Sequence, residues 1–536
     1  MSDALLDIRG LTVGLSGDAD GRRIVKDIDI TVPSGGIVCV VGESGSGKSV
    51  TAFSVMGLLP DGLRPAGGSI TLLGEELLGA SAERMRALRG SRIGMIFQEP
   101  MTALNPVMTV REQLAELIEW HSEVRPSKAD VNRRVLAALE DMLLPNAPQM
   151  MQAYPHQLSG GQRQRVMIAM AMLLEPVLLI ADEPTTALDV TTQKQILMLI
   201  KDLVKRKNIG VLFITHDFGV VADIADQVVV MQKGAVIESG SADAVLGHPV
   251  QAYTRLLIDS VPKGINIPTT AREPAPDVLA VKGLKMTYGH RGLFGRGRVT
   301  HAVRDAGFTL GRGEILGVVG ESGSGKSTLA RCVARLTKPT SGEINLLGTD
   351  IAAVSNEILR PHRRYIQVVF QDPYRSLNPR LSVGQSMIEG VVNFGASPQV
   401  AREKVSALLE LVGMDPQVMH RFPHEFSGGQ RQRICIARAL ASEPQILVAD
   451  EAVSALDVTV QAQVLKLFAD LRSRLGLAML FITHDLRVAG ELCDRIMVMK
   501  SGEIVESGPT AEIFANSQHA YTRALFAAAP GRERLQ

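Results

Sequence analysis

The chain has 536 residues, of which 46% are hydrophobic and 21% charged, and its formal net charge is +1. This length allows about three ordinary domains, and the composition is that of a globular protein with large buried cores. A net charge so close to zero gives no general attraction to nucleic acid or to acidic membranes. The four cysteines are scattered and form no CxxC pair, so we expect neither a disulfide framework nor a zinc cluster.

We also expect neither a signal peptide nor a membrane-spanning helix. The N-terminal residues MSDALLDIRG lack a basic stretch followed by an apolar core. A spanning helix needs about 18 consecutive apolar residues. The nearest approach, residues 166–181, is interrupted by Glu175 and Pro176. We predict a helix, a turn and a buried strand there instead.

The first motif in chain order is a glycine-rich loop. Residues 37–41 are apolar and mostly β-branched, which is typical of a buried strand, and we predict that a helix begins near Lys48. The pattern is GxxxxGK[ST], in which loop N–H groups cradle phosphate, the lysine reaches the terminal phosphates and the next hydroxyl binds Mg²⁺. The predicted nucleotide-binding residues here are Gly42, Glu43, Ser44, Gly45, Ser46, Gly47, Lys48, Ser49 and Val50.

Polar residues follow three further apolar runs. Gln98 comes after GMIF and is placed to touch Mg²⁺ or an attacking water. Asp182 and Glu183 end the run LLIADE, at the carboxyl end of a predicted parallel strand, where such sheets bind ligands. We predict that Asp182 binds Mg²⁺ and that Glu183 orients or deprotonates water. His216, after VLFIT, is predicted to contact the γ-phosphate. Taken singly, each would more often be a helix cap or a structural polar residue; together with the phosphate loop, the site interpretation is favoured.

The stretch LSGGQ precedes an apolar helix. Its residues Ser159, Gly160, Gly161 and Gln162 combine a hydroxyl, backbone N–H groups and a helix N-terminus. These groups predict a second anion site, which a kinase or GTPase with one site does not need. The alternative is a plain capping turn, which Ser-Gly-Gly can form without any ligand.

The whole set of motifs occurs twice. The offset is 278 positions from Lys48 to Lys326 and 268 from Ser159 to Ser427. An offset this large, which changes slightly from motif to motif, indicates two homologous domains with small insertions or deletions rather than a solenoid of short repeats. The predicted nucleotide-binding residues of the second set are Gly320, Glu321, Ser322, Gly323, Ser324, Gly325, Lys326, Ser327, Thr328, Ser427, Gly428, Gly429 and Gln430. Its predicted catalytic and metal-binding residues are Ser327, Gln371, Asp450, Glu451 and His484.

A proline-rich stretch separates the two sets. Residues 261–277, VPKGINIPTTAREPAPD, contain four prolines and show neither a helical nor a strand period, which is typical of a linker. We therefore predict a first domain with its tail at 1–260, a linker at 261–277 and a second domain with its tail at 278–536.

With these motifs in this order, each half resembles the ATPase domain of ABC transporters. The resemblance implies an α/β fold of two tandem P-loop NTPase domains, each with a mainly parallel sheet core, an antiparallel β subdomain and a helical signature subdomain. It also implies an intramolecular head-to-tail dimer with ATP and Mg²⁺ as cofactors. ATP on Lys48 would meet residues 427–430, and ATP on Lys326 would meet residues 159–162.

Finer details are similar to the ATPases of bacterial peptide, nickel and glutathione importers. They are FQEPMTALNP (97–106), FQDPYRSLNP (370–379) and the tails HPVQAYTRLL (248–257) and SQHAYTRALF (517–526). Two such ATPases in one chain resemble the fused importers of glutathione and of microcin C. This resemblance implies two membrane permease subunits and a periplasmic solute-binding protein as partners. It also implies a peripheral position on the cytoplasmic face of the bacterial inner membrane, and no nucleic acid.

The sequence departs from that family in two places. The residue expected to stack on adenine is Tyr288 in the second half, whereas Leu15 takes its place in the first. Several relatives carry tail cysteines that bind an iron–sulfur cluster. Residues 258–277 and 527–536 contain no cysteine, so we expect no cluster.

Two other classes of protein share tandem ATPase motifs. One is a soluble tandem ATPase that acts on ribosomes, which usually carries a long charged helical linker between its halves; the present join is proline-rich instead. The other is a DNA-repair ATPase, whose zinc-type cysteine pairs or coiled coil we do not find. The favoured hypothesis is therefore the ATP-hydrolysing subunit of an importer, with peptides or peptide-like compounds as solutes and ribosome action as the alternative.

Overall fold

The computed structural model describes residues 4–17, 21–98, 103–185, 188–262, 264, 275–289, 299–454 and 456–530. They form two compact units, which divide between Asp259 and Ser260, except that Pro530 groups with the first unit. Most of the predicted linker, 263 and 265–274, lies outside the described residues, so the exact domain limits stay a prediction. Each unit has its own pair of sheets.

In the first unit, alternating helices and strands follow an N-terminal pair of strands. The strands are β1 (Ala4–Leu15), β2 (Arg23–Pro33), β3 (Ile37–Val41), β4 (Leu63–Leu72), β5 (Glu75–Glu76), β6 (Ile93–Ile96), β7 (Leu178–Asp182), β8 (Gly210–Ile214), β9 (Gln227–Gln232) and β10 (Ala235–Ser241). The helices are α1 (Lys48–Met56), α2 (Ala82–Leu88), α3 (Val110–Trp120), α4 (Lys128–Asp141), α5 (Ala147–Met150), α6 (Gly160–Met172), α7 (Val190–Lys207), α8 (Phe218–Ile224), α9 (Ala242–Gly247) and α10 (Ala252–Asp259). A short 3₁₀ helix, Pro155–Gln157, precedes α6.

Two sheets organise the first unit. One is antiparallel, with the order β2-β1-β4-β5, and the other has the order β10-β9-β3-β8-β7-β6. In the second sheet all neighbours are parallel except β10, which pairs antiparallel with β9 at the edge. Every residue of β3, β7 and β8 is buried, as expected of parallel strands covered on both faces.

The second unit repeats this plan. Its strands are β11 (Asp277–Tyr288), β12 (Thr300–Gly311), β13 (Ile315–Val319), β14 (Ser341–Leu346), β15 (Thr349–Asp350), β16 (Ile366–Val369), β17 (Ile446–Asp450), β18 (Ala478–Ile482), β19 (Arg495–Lys500) and β20 (Glu503–Pro509). Its helices are α11 (Lys326–Val333), α12 (Asn356–His362), α13 (Pro373–Ser376), α14 (Val383–Asn393), α15 (Pro398–Leu411), α16 (Gly428–Leu440), α17 (Val458–Leu475), α18 (Leu486–Leu492), α19 (Thr510–Asn516) and α20 (Ala520–Ala527). Short 3₁₀ helices span Pro416–His420 and Pro423–Glu425. The sheet orders are β12-β11-β14-β15 and β16-β17-β18-β13-β19-β20.

The parallel sheet of the second unit lies between two hydrophobic cores. Successive side chains of a strand point to opposite faces of its sheet. Accordingly, Ile315 and Val319 of β13 join a core that includes residues of α14 to α17. Leu316 and Val318 join the other core, which includes residues of the antiparallel strands β11, β12 and β14. The layers are therefore helices, parallel sheet and antiparallel sheet.

The predicted fold class is confirmed in both units: a mainly parallel sheet core, an antiparallel subdomain and a helical subdomain that carries the LSGGQ helix. Residues 166–181 are a helix, a turn and a strand, as predicted. Among the described residues, no helix has both the length and the apolar character needed to cross a membrane.

Candidate active sites

The glycine-rich loop of each unit closes around its own lysine. Lys48 begins α1 and is 6% exposed, and its Nζ donates hydrogen bonds of 2.8 Å to the carbonyl oxygens of Gly42 and Glu43. In the second unit, Lys326 Nζ donates to the corresponding carbonyls at 2.7 and 2.9 Å. The ammonium group thus lies inside the loop, where a phosphate can accept its hydrogen bonds in place of the carbonyls.

Two of the loop glycines are required for different reasons. Gly42 has φ 149°, and a Cβ added there would lie 2.2 Å from the carbonyl oxygen of Met231, so packing alone excludes a side chain. Gly45 has φ 77°, a left-handed conformation that favours glycine, yet nothing lies within 4 Å of a Cβ added there. Gly323, the corresponding glycine of the second unit, also has φ 77° and nothing within 4 Å of an added Cβ. The tip of each loop therefore borders open space, which fits a bound phosphate chain.

The remaining predicted residues of the loops divide between an exposed tip and a buried base. Ser44 and Ser322 are exposed beside those glycines, whereas Ser46 and Ser324 are each 4% exposed. The partly buried members are Glu43, Ser49, Val50, Glu321, Ser327 and Thr328.

A hydroxyl–carboxylate pair lies next to each loop, in which the serine is partly buried and the aspartate is buried. Ser49 Oγ donates to Asp182 Oδ1 at 3.1 Å, and Ser327 Oγ donates to Asp450 Oδ1 at 2.9 Å. Burial raises the pKa of Asp182 to about 6 despite the hydrogen bond from Ser49, and burial also raises the pKa of Asp450. A divalent cation would offset this desolvation, and hydroxyl and carboxylate oxygens are ligands that Mg²⁺ prefers. These residues fit a Mg²⁺ site.

The glutamate that follows each aspartate has a strained backbone. Glu183 has φ 47° and Glu451 has φ 51°, in the left-handed region. For a residue with a side chain this conformation costs about 1–2 kcal/mol. Their N–H groups continue the strand pairing by donating to the carbonyls of Ile214 and Ile482 at 2.9 and 3.0 Å. Such strain is concentrated at functional sites, and no sequence pattern indicated it.

The predicted glutamine and histidine meet on this glutamate. Gln98 Nε2 donates to Glu183 Oε2 at 2.9 Å, and His216 Nδ1 lies 3.1 Å from Glu183 Oε1. In the second unit, Gln371 Nε2 donates to Glu451 Oε2 at 2.9 Å, and His484 Nδ1 is 3.6 Å from that oxygen. The carboxylate is thus held by two side chains from two different strand ends.

Charge keeps the second of these glutamates ionised. Burial would raise the pKa of Glu451, but the hydrogen bond and charge of His484 and the charge of Lys326 lower it overall. Burial would lower the pKa of His484, but the hydrogen bond and charge of Glu451, with the charge of Asp485, raise it. An ionised carboxylate in this position can orient a water molecule through its oxygens.

The LSGGQ residues form the capping structure that was the alternative explanation of the motif. Ser159 Oγ accepts from Gln162 N at 3.3 Å, and Gln162 Oε1 accepts from Ser159 N at 2.9 Å. Ser427 and Gln430 make the same pair of bonds at 3.4 and 3.0 Å. A cap does not exclude a ligand, because it leaves other N–H groups of the first helical turn facing outward.

The two glycines inside this cap differ. A Cβ on Gly161 would lie 2.5 Å from Thr192 Cγ2, because α6 packs closely on α7 there. A Cβ on Gly160 would meet only Leu188 Cδ2, at 4.0 Å, and one on Gly428 would meet nothing within 4 Å. Packing within the unit therefore explains the second glycine of each signature but not the first.

The residues expected at adenine occupy corresponding places. Leu15 ends β1 and is 37% exposed, and Tyr288 ends β11 and is 41% exposed.

The structure also shows a contact that the sequence did not predict. The N–H of Glu43 donates to Tyr253 Oη at 3.3 Å, and that of Glu321 donates to Tyr521 Oη at 3.1 Å. The repeated AYTR of the two tails was the available signal.

Each unit therefore has a phosphate loop after a central parallel strand, a serine bonded to a buried aspartate, and a glutamate held by glutamine and histidine. This combination defines the class of P-loop ATPases.

Comparison with known proteins identifies the family. A model of the ABC transporter family matches residues 25–186 and 303–454. A model described as "Oligopeptide/dipeptide transporter, C-terminal region" matches residues 237–279 and 505–534. The chain belongs to the ABC transporter family, as an ATP-binding subunit that hydrolyses ATP to drive transport.

The similar curated proteins include glutathione import ATP-binding proteins named GsiA. That of Salmonella choleraesuis (strain SC-B67) is 46% identical over 559 residues, which cover 98% of this chain and 89% of that protein. That of Shigella boydii serotype 4 (strain Sb227) is 46% identical over 566 residues, covering 99% and 90%. Among solved structures, the dimeric cassette MJ0796 bound to ADP and Pi is 26% identical, with a TM-score of 0.40, and covers 44% of this chain and 98% of that one.

We predict that Glu183→Gln combined with Glu451→Gln abolishes ATP hydrolysis and retains ATP binding. The amide keeps the side-chain shape but removes the charge that orients water. Steady-state ATPase assays and equilibrium binding of labelled ATP measure the two properties.

Glu175→Gln is the matched control for this variant. Glu175 has φ 54°, like the active-site glutamates, but its side chain forms an exposed ion pair with Lys207 at 2.8 Å. We expect it to hydrolyse ATP at the parental rate. Normal hydrolysis by the double variant would show that these glutamates do not activate water.

Proposed function

We propose that this chain is the ATP-hydrolysing subunit of a bacterial importer of peptides or peptide-like solutes, glutathione among them. The observation that carries the proposal is that an oligopeptide/dipeptide transporter C-terminal region follows each ATPase domain, in a chain 46% identical to glutathione import proteins. The matched families and relatives are transporters, and they give the ribosome-acting alternative no support.

Within each unit, different side chains have different roles in ATP hydrolysis. Lys48 and Lys326 bind the terminal phosphates of ATP, whose charge they partly neutralise. Ser49 with Asp182, and Ser327 with Asp450, would hold Mg²⁺, and Gln98 and Gln371 are the further ligands predicted from the sequence. Bound Mg²⁺ supplies further neutralisation of phosphate charge. Glu183 and Glu451 orient the attacking water, while the glutamine and histidine of each site fix their carboxylates.

Each nucleotide is closed by the signature of the other half. Residues 427–430 complete the site of Lys48, and residues 159–162 complete that of Lys326, in an intramolecular head-to-tail dimer. The open space beside Gly160 and Gly428 supports this arrangement, because a glycine without a packing role in its own unit suits close approach of a ligand.

The proposal includes partners. Two transmembrane permease subunits and a periplasmic solute-binding protein complete the transporter, and the chain sits peripherally on the cytoplasmic face of the inner membrane. Neither half binds nucleic acid. The import activity named for the relatives supports these assignments.

The direct test of this function is reconstitution of the transporter. The tagged chain is purified from detergent-solubilised membranes of its native host, and the copurifying permeases are identified and placed in proteoliposomes with their binding protein. We expect ATP-dependent uptake of labelled glutathione or short peptides, and no uptake with Glu183→Gln plus Glu451→Gln. Copurification with ribosomes and without permeases would contradict the proposal.

The head-to-tail arrangement predicts an effect of Gly160→Ala combined with Gly428→Ala. The added methyl groups meet no obstacle within either unit, and alanine favours the helix by up to about 1 kcal/mol, so thermal stability should not fall. ATPase activity should fall at least about tenfold, because the methyl group obstructs the phosphate of the opposite site.

Gly161→Ala is the contrasting variant. Its methyl group clashes with Thr192, which should destabilise the first unit by about 1–3 kcal/mol. Thermal unfolding and ATPase assays on both variants separate the two effects. Full activity of the Gly160/Gly428 variant would argue against close approach of a nucleotide.

Leu15 predicts weaker ATP binding at the first site. Replacing it by tyrosine should tighten that site about fivefold, because an aromatic stack contributes about 1 kcal/mol. The measurement is a calorimetric ATP titration in the hydrolysis-deficient glutamate double variant. Tyr288→Leu is the reverse control and should weaken the second site by the same factor. Equal affinities at both sites before substitution would remove the basis of this prediction.

A further inference from the structure

Two tail tyrosines contact the phosphate loops at the same peptide group. In the first unit this group joins Gly42 to Glu43. Its carbonyl accepts from Lys48 Nζ at 2.8 Å, and its N–H donates to Tyr253 Oη at 3.3 Å. The first peptide group of the loop is therefore held at both ends, by the loop lysine on one side and by the tail on the other.

The second unit repeats the arrangement. The peptide group between Gly320 and Glu321 is bound through its carbonyl by Lys326 Nζ at 2.7 Å and through its N–H by Tyr521 Oη at 3.1 Å. Hydrogen bonds at the two ends of one peptide group polarise each other and strengthen together.

The register of the parallel sheet places the tail beside the loop. Glu238 of β10 is opposite Val230 of β9, and Val230 is opposite Val41, the last residue before Gly42. In the second unit, Glu506 is opposite Val498, which is opposite Val319. Each glutamate is thus level with the start of its loop, two strands away.

These glutamates anchor the tail helices. Glu238 accepts from the N–H groups of Val250 and Gln251 at 2.7 and 3.1 Å, just before α10. Burial would raise the pKa of Glu238, but the hydrogen bonds from these two N–H groups and the charge of Arg255 lower it overall, which keeps the anchor ionised. Thr254 of α10 is fully buried.

Glu506 does the same for α20. It accepts from the N–H groups of Gln518 and His519 at 2.6 and 3.2 Å. One feature is not shared. Lys500 Nζ lies 4.8 Å above the ring of Tyr521, while Gln232 has the corresponding place in the first unit. The contact of the tyrosine with the loop therefore does not depend on that cation.

We propose that Tyr253 and Tyr521 are positioning residues of the ATPase reaction, which fix the first peptide group of each phosphate loop. When ATP binds, the lysine turns from the loop carbonyls to the phosphates, and the tyrosine hydroxyl then holds that peptide group in place. The tail helix thereby contributes to ATP binding. This inference rests on the phosphate loops being the ATP sites, and it is independent of the transported solute.

The test is Tyr253→Phe combined with Tyr521→Phe in the full-length chain, which removes two hydroxyl groups and keeps both rings. Without the hydroxyl, the loop adopts its binding conformation less often, and apparent affinity falls with that fraction. We expect the KM for ATP to rise about three- to tenfold, the range of a typical hydrogen bond, while kcat stays within about a factor of two.

Two further measurements separate positioning from packing. The melting temperature should stay at the parental value, and in nucleotide-free protein the amides of residues 40–46 and 318–324 should exchange faster with solvent. Tyr365→Phe is the control variant and should change neither KM nor loop exchange. Tyr365 directly precedes β16, at the amino ends of the parallel strands, whereas the loop follows the carboxyl end of β13.

An unchanged KM overturns the inference, whether or not the melting temperature falls, because the hydroxyl groups would then serve packing alone. If the double variant gives too little folded protein, each single variant is measured in the same way. The assay uses ATP hydrolysis by the isolated chain, so its outcome does not depend on the permeases or on whether the solute is a peptide.

Discussion

The hydrogen bond between Ser49 and Asp182 is the contact on which the architecture of the first site depends. The serine lies in the first turn of α1, which follows β3, and the aspartate is the last residue of β7. These strands are not neighbours, because β8 lies between them. The two side chains can meet only if all three strands are parallel and end at one level. The same condition brings Ser327 to Asp450 in the second unit.

Once the strand ends are level, the rest of each site follows. Glu183 comes directly after β7, His216 follows β8 and Gln98 follows β6. Because β6 and β8 are the two neighbours of β7 in the sheet, Gln98 and His216 both contact Glu183. Its left-handed backbone is maintained against a cost of about 1–2 kcal/mol because strand pairing and two side-chain contacts act together.

Much of this arrangement could be predicted from local sequence. The strand at 37–41 and the helix beginning at Lys48 follow from a buried apolar run, glycines and a lysine in close succession. The strand ending at Asp182 follows from the same reasoning. Because the motifs occur twice, the presence of two similar units could also be predicted. The capping geometry of Ser159 was also anticipated, as the alternative explanation of its motif.

Other features depend on contacts between residues far apart in the chain. The bond from Glu43 to Tyr253 requires the register of β3, β9 and β10, which no single stretch of sequence encodes. The difference between Gly160 and Gly161 depends on how closely α6 approaches Thr192. The left-handed conformation of Glu183 has no pattern of its own, since glutamate is not a residue that favours it. Such features become visible only when the packing is known.

Fusion of two similar units in one polypeptide has a consequence for how the sites can differ. In an assembly of two identical chains, every substitution appears at both nucleotide sites at once. Here Leu15 and Gln232 in one unit correspond to Tyr288 and Lys500 in the other, so the two units carry different residues at each of these positions. Every molecule also contains one copy of each unit, so the two different units do not have to find each other as separate chains. Covalent linkage thus allows the two nucleotide sites to carry different residues at equivalent positions.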